Sequence, residues 1–192
     1  MKKLIYLVII LLIILISGLA YLLLKNKSLE NNQPPVVITN FIECLTAGNI
    51  IMESYPRQCR DLTGNIFVED IGNELDKADL IRLDSPRPNQ EIISPLIVSG
   101  QARGYWFFEG SFPVSLVNWD GLIIANGIAQ AQGDWMVEDL VPFKTILTFD
   151  NPVFTGVNQE HFSHRGALIL QKDNPSGLPE HDDALEIPVW FK

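Results

Sequence analysis

The stretch Val114-Ser115-Leu116-Val117-Asn118-Trp119-Asp120-Gly121-Leu122-Ile123-Ile124-Ala125-Asn126-Gly127-Ile128-Ala129-Gln130 decides the fold class. Val114 and Leu116 alternate with polar neighbours, the period-2 pattern of a strand with one wet face. Asp120-Gly121 then separates two apolar runs, which predicts a β-hairpin, because only glycine and a few small polar residues accept the positive φ angles of a tight turn. A second alternation follows in Phe143, Thr145, Leu147 and Phe149.

Working outward, candidate strands are Leu80-Leu83, Ile92-Gly100, Trp106-Phe108, Val114-Asn118, Leu122-Gln130, Phe143-Phe149, Ala167-Lys172 and Ile187-Phe191. Turn chemistry divides them, as in Ser85-Pro86-Arg87-Pro88-Asn89, Glu109-Gly110-Ser111, Gln132-Gly133-Asp134 and Asp173-Asn174-Pro175-Ser176-Gly177. Short strands in this number predict an all-β immunoglobulin-like β-sandwich over residues 80–192, two antiparallel sheets burying alternate side chains against each other.

The chain has 192 residues and a formal charge of -9. That figure joins two unlike pieces: residues 1–27 hold four lysines and no acid, while the remainder carries 10 basic against 23 acidic residues, or -13. With no basic stripe on the acidic remainder, nucleic acid is excluded as a partner.

Leu4 to Leu24 contains no charged residue. As a helix its 21 residues span ~32 Å, enough for a hydrocarbon core of about 30 Å. The run exceeds the core of a cleaved signal peptide, and Tyr21-Leu22-Leu23-Leu24 buries the small residues Ser17, Gly18 and Ala20 within it. Residues 1–27 are therefore expected to be a single transmembrane anchor in a bacterial cell membrane. Residues 28–40, polar and ending near Pro34-Pro35, are the expected linker.

Residues 41–70 form a small segment framed by Cys44 and Cys59, the only cysteines. A bridge would close a loop of about 15 residues, worth ~3 kcal/mol in the chain-entropy model. An even cysteine count after an export segment favours that disulfide and places the C-terminal body outside the membrane. Paired ligands at short spacing, which tetrahedral zinc requires, are missing around the two cysteines.

Ser85-Pro86, Ser94-Pro95-Leu96-Ile97-Val98-Ser99-Gly100-Gln101-Ala102-Arg103-Gly104 and Trp106-Phe107-Phe108-Glu109-Gly110-Ser111-Phe112-Pro113-Val114 resemble the bacterial spore germination immunoglobulin-like domain of GerM-type envelope proteins. Trp135, Pro142-Phe143 and Lys172-Asp173-Asn174-Pro175-Ser176-Gly177 extend the resemblance. It implies an immunoglobulin-like sandwich in an exported protein, with a binding or structural role and no catalytic residues to carry over. No partner germination domain accompanies it in this chain. Residues 44–60 resemble a short Cys-framed motif of bacterial envelope proteins. Tyr55-Pro56-Arg57-Gln58-Cys59 with Gly64 and Phe67 is more loosely similar to Kazal-type protease inhibitors, which depend on three disulfides where this chain has cysteines for one.

For a binding surface, the densest aromatic group supplies the candidates Arg103, Trp106, Phe107 and Glu109, since aromatic and Arg side chains dominate recognition hot spots. As a strand, Trp106 and Phe108 would share one face, with Phe107 and Glu109 on the other. His161 and His164, with His181-Asp182-Asp183 downstream, are the metal candidates, but Glu160 precedes the first histidine and the zincin pattern is not met. Asp134, Glu138, Asp139 and Asp150 offer carboxylates without the spacing of a calcium loop. Gly-x-Ser-x-Gly and the phosphate-binding glycine loops are absent. The expectation is a non-catalytic, cofactor-free binding or scaffold module facing a cell-wall polymer or an envelope protein. The alternative is an envelope hydrolase using His161, His164 or the acids.

Overall fold

A computed structural model describes residues 2–30, 37–159 and 161–192. The middle of the expected linker, 31–36, and Glu160 lie outside the described residues. The chain divides into two compact units, one of residues 1–52 and 58–67, the other of 53–57 and 68–192.

In the first unit, helix α1 covers Lys2–Glu30, so it runs past the boundary expected at residue 27. Among the described residues no helix is long and apolar enough to cross a membrane. Helix α2, Phe41–Thr46, starts at Asn40, whose side chain accepts from the Glu43 backbone N–H at 2.9 Å. Glu43 reaches back to the Thr39 N–H at 2.7 Å, so two donors at the helix start are satisfied. Strands β1 (Ile50–Met52), β2 (Gln58–Arg60) and β3 (Ile66–Val68) form a small sheet in that order. The predicted disulfide is present, Cys44 to Cys59 with Cα atoms 6.0 Å apart. Both cysteines are fully buried and form a small core with Phe41.

The second unit is the sandwich. Its strands are β4 (Ile81–Ser85), β5 (Glu91–Ile92), β6 (Leu96–Arg103), β7 (Ser111–Asn118), β8 (Ile123–Ala131), β9 (Leu140–Leu147), β10 (Arg165–Gln171) and β11 (Ala184–Phe191). Their hydrogen-bonded order is β4-β6-β9-β8-β7-β10-β11-β5. The ladder narrows to Gln130↔Lys144 and Ala131↔Phe143 between β8 and β9. There the sheet turns over, and the β4-β6-β9 layer faces the layer containing the other strands.

Alternation fills the space between the layers. Val98 and Ala102 of β6, Phe112, Val114 and Leu116 of β7, Val141 and Phe143 of β9, Leu168 and Leu170 of β10 and Leu185, Ile187, Val189 and Phe191 of β11 supply one core. Phe112 meets Phe143 edge to face across the layers, 4.9 Å between centroids, a geometry that adds to area burial. The hairpin predicted at Asp120-Gly121 is found. Gly121 has φ 75°, and the Asn118 side chain accepts from the Asp120 and Leu122 N–H groups at 3.0 and 2.9 Å.

Two strand expectations change. Ile92-Gly100 is not continuous: β5 ends at Ile92, Ser94-Pro95 intervenes, and β6 starts at Leu96. The first part pairs in parallel with β11, the second antiparallel with β9, so this segment serves both layers. Trp106-Phe108 is not a strand. Gly104–Trp106 is a 3-10 turn, and only Phe108 bridges, to Ser111.

The segment before β4 belongs to the sandwich unit. Asn73 clamps the start of β11 through its side chain, to the Ala184 carbonyl at 2.9 Å and the Glu186 N–H at 2.8 Å. Helix α3, Glu74–Lys77, follows, and Lys77 pairs with Asp183.

Candidate functional site

Strand polarity puts the β6–β7, β8–β9 and β10–β11 connections at one end of the sandwich, called here the loop end. The β7–β8 turn and the β9–β10 connection lie at the opposite, hairpin end. In antibody variable domains, neighbouring loops at one end of the sandwich form the recognition surface.

The loop end is held together by backbone contacts. Gly104 donates to the Asp139 carbonyl at 3.2 Å, Asp173 to that of Trp106 at 3.1 Å, and Ala131 to that of Gly110 at 2.9 Å. Gly104 is required here, because a Cβ would sit 1.8 Å from the Val137 carbonyl oxygen and 2.3 Å from that of Trp135. Phe108 and Ser111 exchange hydrogen bonds around Glu109-Gly110, both at positive φ, 51° and 74°. That is the two-residue turn whose twist matches flanking strands. Arg103 is fixed at both ends of its guanidinium, donating from Nε to the Asp79 carbonyl at 2.8 Å and from Nη1 to the Glu138 carbonyl at 3.3 Å.

The four binding candidates therefore separate. Trp106 and Phe107 are core residues, 0 % and 4 % exposed, because the 3-10 turn redirects them inward where a strand would have alternated them. Phe107 packs on Phe112 at 5.2 Å. The Trp106 Nε1 has no partner among the described residues. Arg103 and Glu109 remain at the surface. The aromatic side chains exposed beside them are Tyr105 (53 %) and Phe108 (43 %), joined by Met136 (76 %) and Val137 (39 %) from the β8–β9 loop. Tyr105 and Glu138 sit between two shallow hollows of 410 and 380 Å³, one reaching Arg103 and Asp79, the other Trp135, Met136 and Val137. Sequence reasoning passed over Tyr105 and Met136. No local pattern marks them, because their exposure accompanies the long-range contact of Gly104 with Val137.

The metal candidates do not converge. His164 is buried, with Nδ1 on the Phe191 carbonyl at 2.6 Å. His161 bonds Ser163 at 2.9 Å at the same hairpin end, whereas His181 contacts Ser176 at the loop end. Asp134, Glu138 and Asp139 share the β8–β9 loop, and Asp150 lies past the far end of β9. Among the described residues no group of three His, Cys, Asp or Glu side chains could hold a metal ion.

Two buried acids sit in the sandwich unit. Arg57 grips Glu69 with two bonds, Nε to Oε2 at 2.8 Å and Nη2 to Oε1 at 2.5 Å, and Asn89 adds a third at 3.1 Å. These bonds, Arg57 foremost, hold the Glu69 carboxyl below its ordinary range against the opposing effect of burial. Burial pushes Glu74 the other way, with Arg87 at 2.9 Å opposing.

Residues 80–160 match the family model of the immunoglobulin-like domain of bacterial spore germination. Residues 80–160 are a match to a germination-type immunoglobulin-like domain. No curated protein matches the chain, and no solved structure does. The germination-type domain points to a non-catalytic binding or scaffold module, and its matched span contains β4 to β9 with the 3-10 turn and most of the loop end.

Proposed function

We propose that the chain is a membrane-anchored module of the bacterial cell envelope whose germination-type domain stands outside the membrane and binds another envelope protein through its loop end. The observation carrying this reading is the rigid surface on which Tyr105, Phe108, Met136 and Val137 are exposed beside Arg103. Aromatic residues, Met and Arg are the types enriched at protein interfaces. Their support by interlocked backbone lowers the ordering cost of association.

Anchoring is supported by α1. The consecutive residues Leu11 to Ile16, with Leu19 and Tyr21 to Leu23, are each more than half exposed, so the apolar surface runs around the whole circumference. A helix apolar on all sides needs an apolar surrounding, and Leu4 to Leu24 carries no charge. The Cys44–Cys59 bridge suits an oxidising compartment. The -13 charge of residues 28–192 opposes close contact with anionic lipid.

Full-length protein carrying a photo-crosslinker in place of Met136 tests the binding reading in intact cells. The expected product is an adduct sensitive to protease and insensitive to wall-degrading muramidase, with none when the label replaces Ile97 on the outer sheet face. A muramidase-sensitive adduct, or equal labelling from Ile97, overturns the protein partner. A reporter active only outside the membrane, fused after Lys192, is expected to be active, and an inactive fusion overturns the topology.

A further inference from the structure

The small sheet of the first unit has two unlike faces. Its ladder pairs Ile51 with Cys59 and Ile50 with Arg60. The Asp61 N–H donates to the Asn65 carbonyl at 3.0 Å, which carries the register on to Cys59 opposite Phe67 and Arg60 opposite Ile66. Cys59 and Phe67 belong to the core beneath α2, so alternation turns Ile50, Arg60 and Ile66 outward as one row across the three strands. All three are exposed, Ile50 by 73 % and Ile66 by 52 %. At the tip of the β2–β3 hairpin Leu62 is 98 % exposed.

The turn that carries Leu62 keeps its polar groups occupied. The Asp61 carboxylate accepts from the Thr63 N–H and hydroxyl at 2.9 and 2.8 Å, and from the Asn65 N–H and side-chain amide, both at 2.8 Å. The Gly64 N–H closes on the Asp61 carbonyl at 3.1 Å. Polar groups already bonded lose little on leaving water, whereas the Leu62 side chain packs on nothing among the described residues.

Charge divides the chain in the same sense. Residues 37–67 hold three acids and two arginines, or -1, while residues 68–192 hold 19 acids and 8 bases, or -11. Repulsion from anionic lipid therefore bears on the sandwich and spares the small unit. Ten residues separate Glu30 from Phe41, a reach of at most ~40 Å. A surface beside α1 is thus met at the high effective concentration of an intramolecular contact, so a modest apolar area suffices to hold it.

We propose that the outer face of the small sheet docks on the bilayer that α1 enters, with Leu62, Ile50 and Ile66 in the boundary between headgroups and acyl chains. Arg60, in the middle of the row, lays its aliphatic stem among them and carries its guanidinium to lipid phosphate. The docking rests on the anchored reading of α1. It gives the two units different surroundings, lipid for the small one and water for the acidic sandwich.

Both native cysteines are bridged, so Leu62→Cys supplies one thiol for an environment-sensitive dye. The full chain is reconstituted into vesicles of phosphatidylcholine and phosphatidylglycerol, with and without brominated acyl chains, and flotation reports anchoring independently of the dye. Emission from position 62 is expected to shift to shorter wavelength and to be quenched by bromine. A dye on Thr46→Cys, exposed on the helix side of the unit, is expected to do neither. Ile50→Asp added to the labelled Leu62→Cys chain is expected to remove most of the quenching while the Cys44–Cys59 bridge still forms. Protein that floats with the dye at 62 unquenched, quenched equally at 62 and 46, or indifferent to Ile50→Asp overturns the docking and leaves the anchor standing. Protein that does not float overturns both. An unquenched dye at 62, together with a protein adduct from a photo-crosslinker at that position in cells, assigns the face to a protein and overturns the lipid.

Discussion

The α-carbon of Gly104 lies so close to the Val137 main chain that a methyl group placed on it would stand 1.8 Å from the Val137 carbonyl oxygen. Neither backbone can yield without opening the loop end, since Gly104 is itself bonded to Asp139. Gly104→Ala is expected to destabilise the sandwich by about 3 kcal/mol, the upper end for overpacking. Gly133→Ala, where no atom lies within 4 Å of the added carbon, is expected to change stability little. Thermal unfolding of the two variants makes the comparison, and equal melting temperatures would show the loops to be loosely joined.

Neighbouring aromatics at the loop end have opposite duties. Trp106→Ala removes a fully buried ring from the common core and is expected to cost ~3–5 kcal/mol. Tyr105→Ala, at an exposed position, is expected to alter stability by no more than about 0.5 kcal/mol while weakening partner capture. Chemical denaturation together with crosslinking from position 136 separates the two effects.

Glu69 and Glu74 give opposite pH dependences. The Glu69 carboxyl is held low by Arg57, so its contribution is complete above the ordinary carboxylate range and is lost as pH falls through its depressed value. Glu69→Gln is expected to cost about 1 kcal/mol at neutral pH, discounted because the Arg57 side chain is half exposed and screened. The penalty shrinks towards acid. Glu74 is pushed up by burial, so folding favours its protonated form. Its ionisation costs stability as pH rises from the ordinary range to the raised value. Glu74→Gln is therefore expected to improve relative to wild type between acid and neutral pH. Denaturation midpoints across that range decide, and parallel profiles for the two variants would contradict the assignment.

Replacing Cys44 and Cys59 together by Ala is expected to destabilise the small unit by about 3 kcal/mol. Its core is only the two cysteines and Phe41, with partly buried neighbours. The sandwich has a separate core and keeps its melting temperature. Hydrogen exchange should therefore quicken over α2 and β1–β2 alone, and a matching loss of protection in β6–β11 would contradict the division into two units.

What was legible in the sequence is what local chemistry dictates. The Asp120-Gly121 hairpin, the alternating faces of Val114 to Leu116 and Phe143 to Phe149, and the one possible cysteine pairing all follow from neighbours or from covalent bonding. Trp106 was misplaced because a 3-10 turn has no period to read and is imposed by a long-range event, Gly104 meeting Val137. The break in Ile92–Gly100 escaped for a similar reason: both halves are apolar, and the layer each joins is decided by β11 and β9. The exposed Tyr105 and Met136 could not be ranked as surface from a sequence in which aromatic and apolar residues mark core and interface alike.

The Cys44–Cys59 bond also has a mechanical meaning. The 15 residue steps it encloses could extend by ~50 Å, yet their ends are fixed 6.0 Å apart. Tension applied between residues 44 and 59 is carried by the sulfur atoms, so the enclosed residues cannot be drawn out end to end. Reduction would free that length, so under load the bridge limits how far these two positions can separate.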